Sequence, residues 1–198
     1  MRGRQFLVTV FIVITVMVLG FMWFAKLQPS FNRRSHKTGM AVVRLSDYAK
    51  TDAVISYTRI GITNAESLHR AIRITVSRNA VSVDILAGYR GEVAGKVIKS
   101  QSFINNQEAF AYFLASLQTL GYMNKREISE NIEFIGQCPL GNKYVFQNSN
   151  IDGLKDILWT TSCSSSQGNF AGKLNSVQQL FINQVPNYSQ FVAGVNLS

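Results

Sequence analysis

The chain has 198 residues, with 20 Lys and Arg against 11 Asp and Glu, a net charge of +9. That length suits one domain with a buried core, and the basic balance raises nucleic acid as a partner. The distribution of charge excludes it: residues 1–40 hold six basic residues and no acid, and the rest of the chain carries only +3.

Residues 6–25, FLVTVFIVITVMVLGFMWFA, contain no charge. At about 1.5 Å rise per residue this run reaches roughly 30 Å, the thickness of a bilayer's hydrocarbon core. It predicts an uncleaved transmembrane helix. A secretory signal would have a shorter apolar region and a small-residue cleavage site, whereas this run closes on Gly20, Phe21, Met22, Trp23 and Phe24. No cysteine follows it for lipoprotein-type cleavage, and it lacks the glutamate that opens a pilin-like helix. Arg2, Arg4, Trp23 and Lys26 are placed to meet headgroups at the two interfaces, so the bilayer itself is an expected partner.

Orientation follows from two opposing signals. Lys26, Arg33, Arg34 and Lys37 outnumber Arg2 and Arg4, which would hold the larger domain in the cytoplasm. That count weakens for long translocated domains, and a short basic head before an apolar run is how export signals begin. The downstream region is lightly charged, and the chain holds two cysteines, an even number. The expected orientation is single-pass at the cell membrane, with the C-terminal domain outside the cytoplasm.

Residues 1–25 are thus a short tail and anchor, 26–40 a basic linker with Pro29 and Gly39, and 41–198 the folded domain. Residues 53–62 (AVISYTRIGI) are β-branched and aromatic and predict a strand. Over 70–86, Ile72, Ile74 and Val76, then Val81, Val83 and Ile85, alternate with polar residues around Asn79. That period of two predicts a β-hairpin with one apolar face. A further strand is expected within 96–103.

The period changes over 105–120. Ala109, Phe110, Phe113, Leu114, Leu117 and Leu120 recur at helical spacing, Asn105 and Glu108 have capping-box spacing, and Gly121 is placed to end the helix. Short strands are expected at 132–136, 143–147 and 155–162, a polar loop at 164–172, and a second helix at 174–184 stopped by Pro186. Strands in succession with two interposed helices predict an α+β fold: the transmembrane helix, then an antiparallel sheet with two helices packed on it.

Motifs that carry chemistry are sparse. Gly172-Lys173 resembles the end of a phosphate-binding loop, but Gln167 stands where glycine is required and Leu174 where Ser or Thr would hold magnesium. No G-x-S-x-G, H-E-x-x-H or S-x-x-K occurs. His36 lies in the linker and His69 at a strand start, which leaves no metal set and no cofactor to expect. Glu127, Glu130 and Glu133 are three apart, yet Ser129 and Asn131 between them favour a solvated loop. Cys138 and Cys163 follow two predicted strands. Outside a reducing compartment they should pair; in the cytoplasm they would be free thiols. A Cys138 or Cys163 nucleophile working with His69 is the third reading.

The C-terminal third holds the most distinctive local chemistry: Trp159-Thr160-Thr161-Ser162-Cys163, Gly168-Asn169-Phe170-Ala171-Gly172, and Gln184-Val185-Pro186-Asn187-Tyr188. With the anchor, this stretch resembles single-anchor exported proteins of small-genome bacteria. The resemblance implies location and no activity. Within the loop, Ser164, Gln167, Asn169 and Phe170 are the candidate binding residues, with no catalytic residue singled out. The expected function is a membrane-anchored extracytoplasmic binding or assembly module with an envelope protein as partner. The rival is an anchored hydrolase with its site near 160–172, which would bring Ser, His69 and an acid together.

Overall fold

The structure is a computed structural model that describes residues 44–89, 93, 95–128, 134–149, 155–165 and 167–198. The segment 6–25, its interfacial Arg2, Arg4, Trp23 and Lys26, and the linker 26–40 lie outside the described residues. Among the described residues no helix is long and apolar enough to cross a membrane.

Alternation of apolar and polar residues builds the sheet. Val54–Ile60 form β1, Arg70–Ser77 β2, Ala80–Ala87 β3 and Lys96–Ile104 β4. Lys143–Ser149 form β5 and Lys155–Thr161 β6. Their order is β4-β3-β2-β1-β5-β6, and every neighbouring pair is antiparallel. The β2–β3 hairpin has the expected register: Ile72 faces Ile85, Ile74 faces Val83 and Val76 faces Val81, all buried. Full burial of such side chains contributes about 1.5–3 kcal/mol each relative to exposure.

Between β4 and β5 the chain crosses the sheet as helix α1, Gln107–Thr119, which carries it from one edge to the far side of β1. The cap differs from the Asn105–Glu108 pairing. Asn106 is the N-cap, and its side chain accepts from Ala109 N at 2.9 Å. Asn105 is held back in the hairpin: its amide donates to Ser77 O at 2.6 Å and its backbone N–H to Asn79 O. The helix therefore starts one residue later. Its end is as expected. Gly121 has φ 74°, its N–H donates to Gln118 O and that of Tyr122 to Leu117 O, the two bonds of a Schellman motif.

Helix α2 is Leu174–Ile182 and α3 the short turn Tyr188–Phe191. They join Phe110, Phe113, Leu114 and Leu117 of α1 over Ile55, Tyr57, Ile74, Val83 and Phe146 of the sheet, in one core cluster. Stacked and tilted rings tie it together: Phe146 lies 4.6 Å from Phe170 and 5.4 Å from Tyr57, and Phe113 meets Phe181 edge-on at 5.1 Å. The fold is α+β, as expected from the sequence, with α3 and a 3-10 helix at Leu45–Lys50 in addition.

The opposite face of the sheet is divided. Ile60, Ala71, Leu86, Val145 and Trp159 form a second, smaller core under Ile128 and Phe134. Beyond it the face is polar, with Arg73 paired to Asp84 at 2.8 Å and Ser100 donating to Asp84 at 2.6 Å.

The strand expected at 132–136 is corrected over its described part. Phe134–Gly136 are bend and turn, with Ile135 67% exposed. Gly136 (φ 81°) and Cys138 (φ 50°) both take left-handed backbone there, which no strand sustains. The bend brings Cys138 to Cys163, and the two form a disulfide across a Cα separation of 5.8 Å.

Candidate ligand-binding recess

The alternation that buries Ile55 and Tyr57 on the helix side of β1 also places Arg59 there, two residues on. A strand has no other side to offer that position. Arg59 faces Ile72 of β2 and Tyr144 of β5, at the end of the sheet. The C-terminal segment arches over it. That segment is pinned where Ile62 N–H donates to Leu197 O at 3.1 Å. Gly61 makes the approach possible, because an added Cβ would sit 2.8 Å from Leu197 O.

Beneath this arch lies a recess of about 360 Å³. Its wall is apolar at Ile72, Val192, Val195 and Leu197, and polar at Arg59, Asn142, Tyr188, Asn196 and Ser198. Asn142, just before β5, accepts from Arg59 Nε at 3.2 Å and so orients the guanidinium. Among the described residues Nη1 and Nη2 have no hydrogen-bond partner and Arg59 has no ion pair. Burial pushes the Tyr188 phenol above its usual range, and the nearby Arg59 charge pulls it back. A half-buried guanidinium oriented by Asn142, with no ion pair among the described residues and an apolar wall beside it, has the chemistry to receive an anion.

A second polar cluster lies near the disulfide. Lys143 is 5% exposed; its ammonium donates to Thr63 Oγ1 at 3.5 Å, and no acid pairs with it among the described residues. Burial holds its ammonium below the usual lysine range. His69, 2% exposed, is stacked on Tyr89 with 4.0 Å between rings, and its Nδ1 is 3.0 Å from Ile62 O. Burial depresses its pKa; the Ile62 carbonyl opposes this and Lys143 adds to it.

The loop 164–172 divides in two. Ser164 and Gln167 are exposed. Phe170 is 3% exposed within the main core, with no face left for a ligand. Asn169 is occupied with the backbone of β6: its Oδ1 accepts from Trp159 N at 2.7 Å and its Nδ2 donates to Ile157 O at 3.0 Å. Phe170 N–H adds a bond to Trp159 O, so this loop covers the edge of β6. At the other edge, β4 is exposed along nearly all its length.

Ser162 Oγ accepts from Asn142 N at 2.9 Å, and His69 is held by Ile62 and Tyr89. Both cysteines are in the disulfide, which removes the thiol nucleophile. Glu127 is exposed, while Glu130 and Glu133 lie outside the described residues.

Arg59 was missed as a site residue in the sequence, although the signal was present: in a strand whose alternate residues Ile55 and Tyr57 are apolar, a cation at the next alternate position lands on the core face. The chain matches no protein family, and no curated protein or solved structure matches it.

Proposed function

We propose that the chain is a membrane-anchored binding or assembly module of the cell envelope, with 6–25 as its single transmembrane helix and the α+β domain outside the cytoplasm. The observation that carries this reading is the Cys138–Cys163 disulfide, which takes up both cysteines of the chain. Structural disulfides persist in oxidising compartments and are rare in reducing ones. The charge-free run 6–25 supplies the anchor, and the resemblance carried by residues 159–188 agrees with that location.

Two surfaces support binding. The Arg59 recess suits a small anionic ligand. The edge strand β4, which pairs on one side only among the described residues and exposes Val97, Ile98 and Ile104, suits an envelope protein that adds a strand.

The test is membrane extraction combined with protease applied to intact cells or spheroplasts. The full chain should stay with the membrane through an alkaline wash, and external protease should reach the domain. Full-length protein released by the wash, or a domain degraded only after the membrane is opened, would contradict the reading.

A further inference from the structure

We infer that the Arg59 recess binds a small monocarboxylate with an apolar body. The inference rests on the binding-module reading and supplies its ligand class. Nε of Arg59 is committed to Asn142, so a ligand meets the Nη1–Nη2 end of the guanidinium. That end presents two parallel N–H groups at the spacing of the two oxygens of a carboxylate. Tyr188 lines the same recess as a further polar contact. Ile72, Val192 and Leu197 form the wall along which the body of the ligand would lie. The volume of about 360 Å³ sets the size. At roughly 30 Å³ per non-hydrogen atom, the share of a water molecule in the liquid, it holds about a dozen such atoms. A straight-chain acid of about eight carbons fits, and so does an apolar amino acid with a free α-carboxylate and an acylated nitrogen. The two share the carboxylate and the apolar body and differ in the amide.

The experiment uses the full chain in phosphatidylcholine nanodiscs at pH 7.5, with labelled Ile and Val methyl groups observed by NMR. Octanoate, N-acetylleucine and octanamide are the probes. The Ile72 and Val192 methyls should shift saturably with at least one carboxylate, while Ile74 and Val83, deep in the core, stay in place. Octanamide, uncharged, should bind at least tenfold more weakly than octanoate if the aliphatic acid is the ligand. A response to N-acetylleucine alone identifies the acylated amino acid. Arg59→Gln should reduce carboxylate binding at least tenfold, and Val192→Trp should fill the space and weaken it independently. No saturable shift with either carboxylate in the wild-type protein, or octanamide binding as tightly as the better carboxylate, would overturn the inference. These results are read on purified protein and do not depend on which way the domain faces in a cell. Failure here therefore leaves the location reading standing, and the reverse also holds.

Discussion

Arg59 and Asn142 are 83 residues apart in sequence and are joined by one hydrogen bond, Nε to Oδ1 at 3.2 Å, at the floor of the recess. The bond crosses from β1 to the residue before β5, so the pairing of those strands sets it. Asn142→Ala should remove it at a cost of about 1 kcal/mol, read as a lower midpoint in urea. The guanidinium would then be free to swing away from the recess, and octanoate binding should weaken as well. Unchanged binding would show that Asn142 does not orient Arg59.

Asn106 rather than Asn105 caps α1, and the two can be separated. Asn106→Ala should destabilise the domain by about 1 kcal/mol, and Asn106→Ser should restore most of it, because the serine hydroxyl can accept from the same N–H. Asn105→Ser should not be neutral, since the hydroxyl is too short to replace the amide that reaches Ser77 O. Thermal or urea unfolding of the three variants checks this.

Gly141 sits inside the disulfide corner, where an added Cβ would fall within contact distance of Ser162 Oγ and both sulfurs. Gly141→Ala should therefore push the cysteines apart and lower the fraction of oxidised protein. Loss of the bridge itself, by Cys138→Ser or Cys163→Ser, should cost about 3–4 kcal/mol in the chain-entropy account. Quantitative thiol assay and unfolding midpoints distinguish the two effects.

The depressed pKa values of His69 and Lys143 predict a pH dependence of stability with one sign. Both have pKa values depressed by burial, so the unfolded chain binds their protons more readily than the folded one. Stability then rises with pH wherever either titrates. For His69, the folded state should lose stability as pH falls below the ordinary imidazole value of 6.5 toward its lower folded pKa. For Lys143, stability should increase as pH rises from its depressed folded pKa toward the ordinary 10.5. Lys143→Met should remove the alkaline part of this profile, and His69→Phe the acidic part. Urea midpoints from pH 5 to 10 would show both.

Much of the architecture was legible because it depends on period. Ile72, Ile74, Val76, Val81, Val83 and Ile85 could form a one-sided hairpin and little else, and Phe110, Phe113, Leu114 and Leu117 could share only a helix face. What escaped was decided by tertiary context. Asn105 and Asn106 are chemically identical, and only the reach of Asn105 back to Ser77 assigns the cap to its neighbour. Phe134 and Ile135 have strand-like side chains, but the chain bends there at Gly136 and Cys138 on the way to the disulfide. The recess was less legible still. It needs β1, the residue before β5 and the C-terminal segment together, and no local motif announces such a meeting. The loop at 164–172 is polar and short-side-chained like a binding loop, yet its Asn169 and Phe170 are used by the fold.

The central proposal is that the domain, with its cysteines paired, stands outside the cytoplasm. Thiol labelling in intact cells tests it most directly, using a membrane-impermeant maleimide with and without prior treatment by an impermeant reductant. The account predicts no labelling before reduction and two labelled cysteines, Cys138 and Cys163, after it. Labelling that needs no reductant, or that appears only once the membrane has been opened, would contradict it.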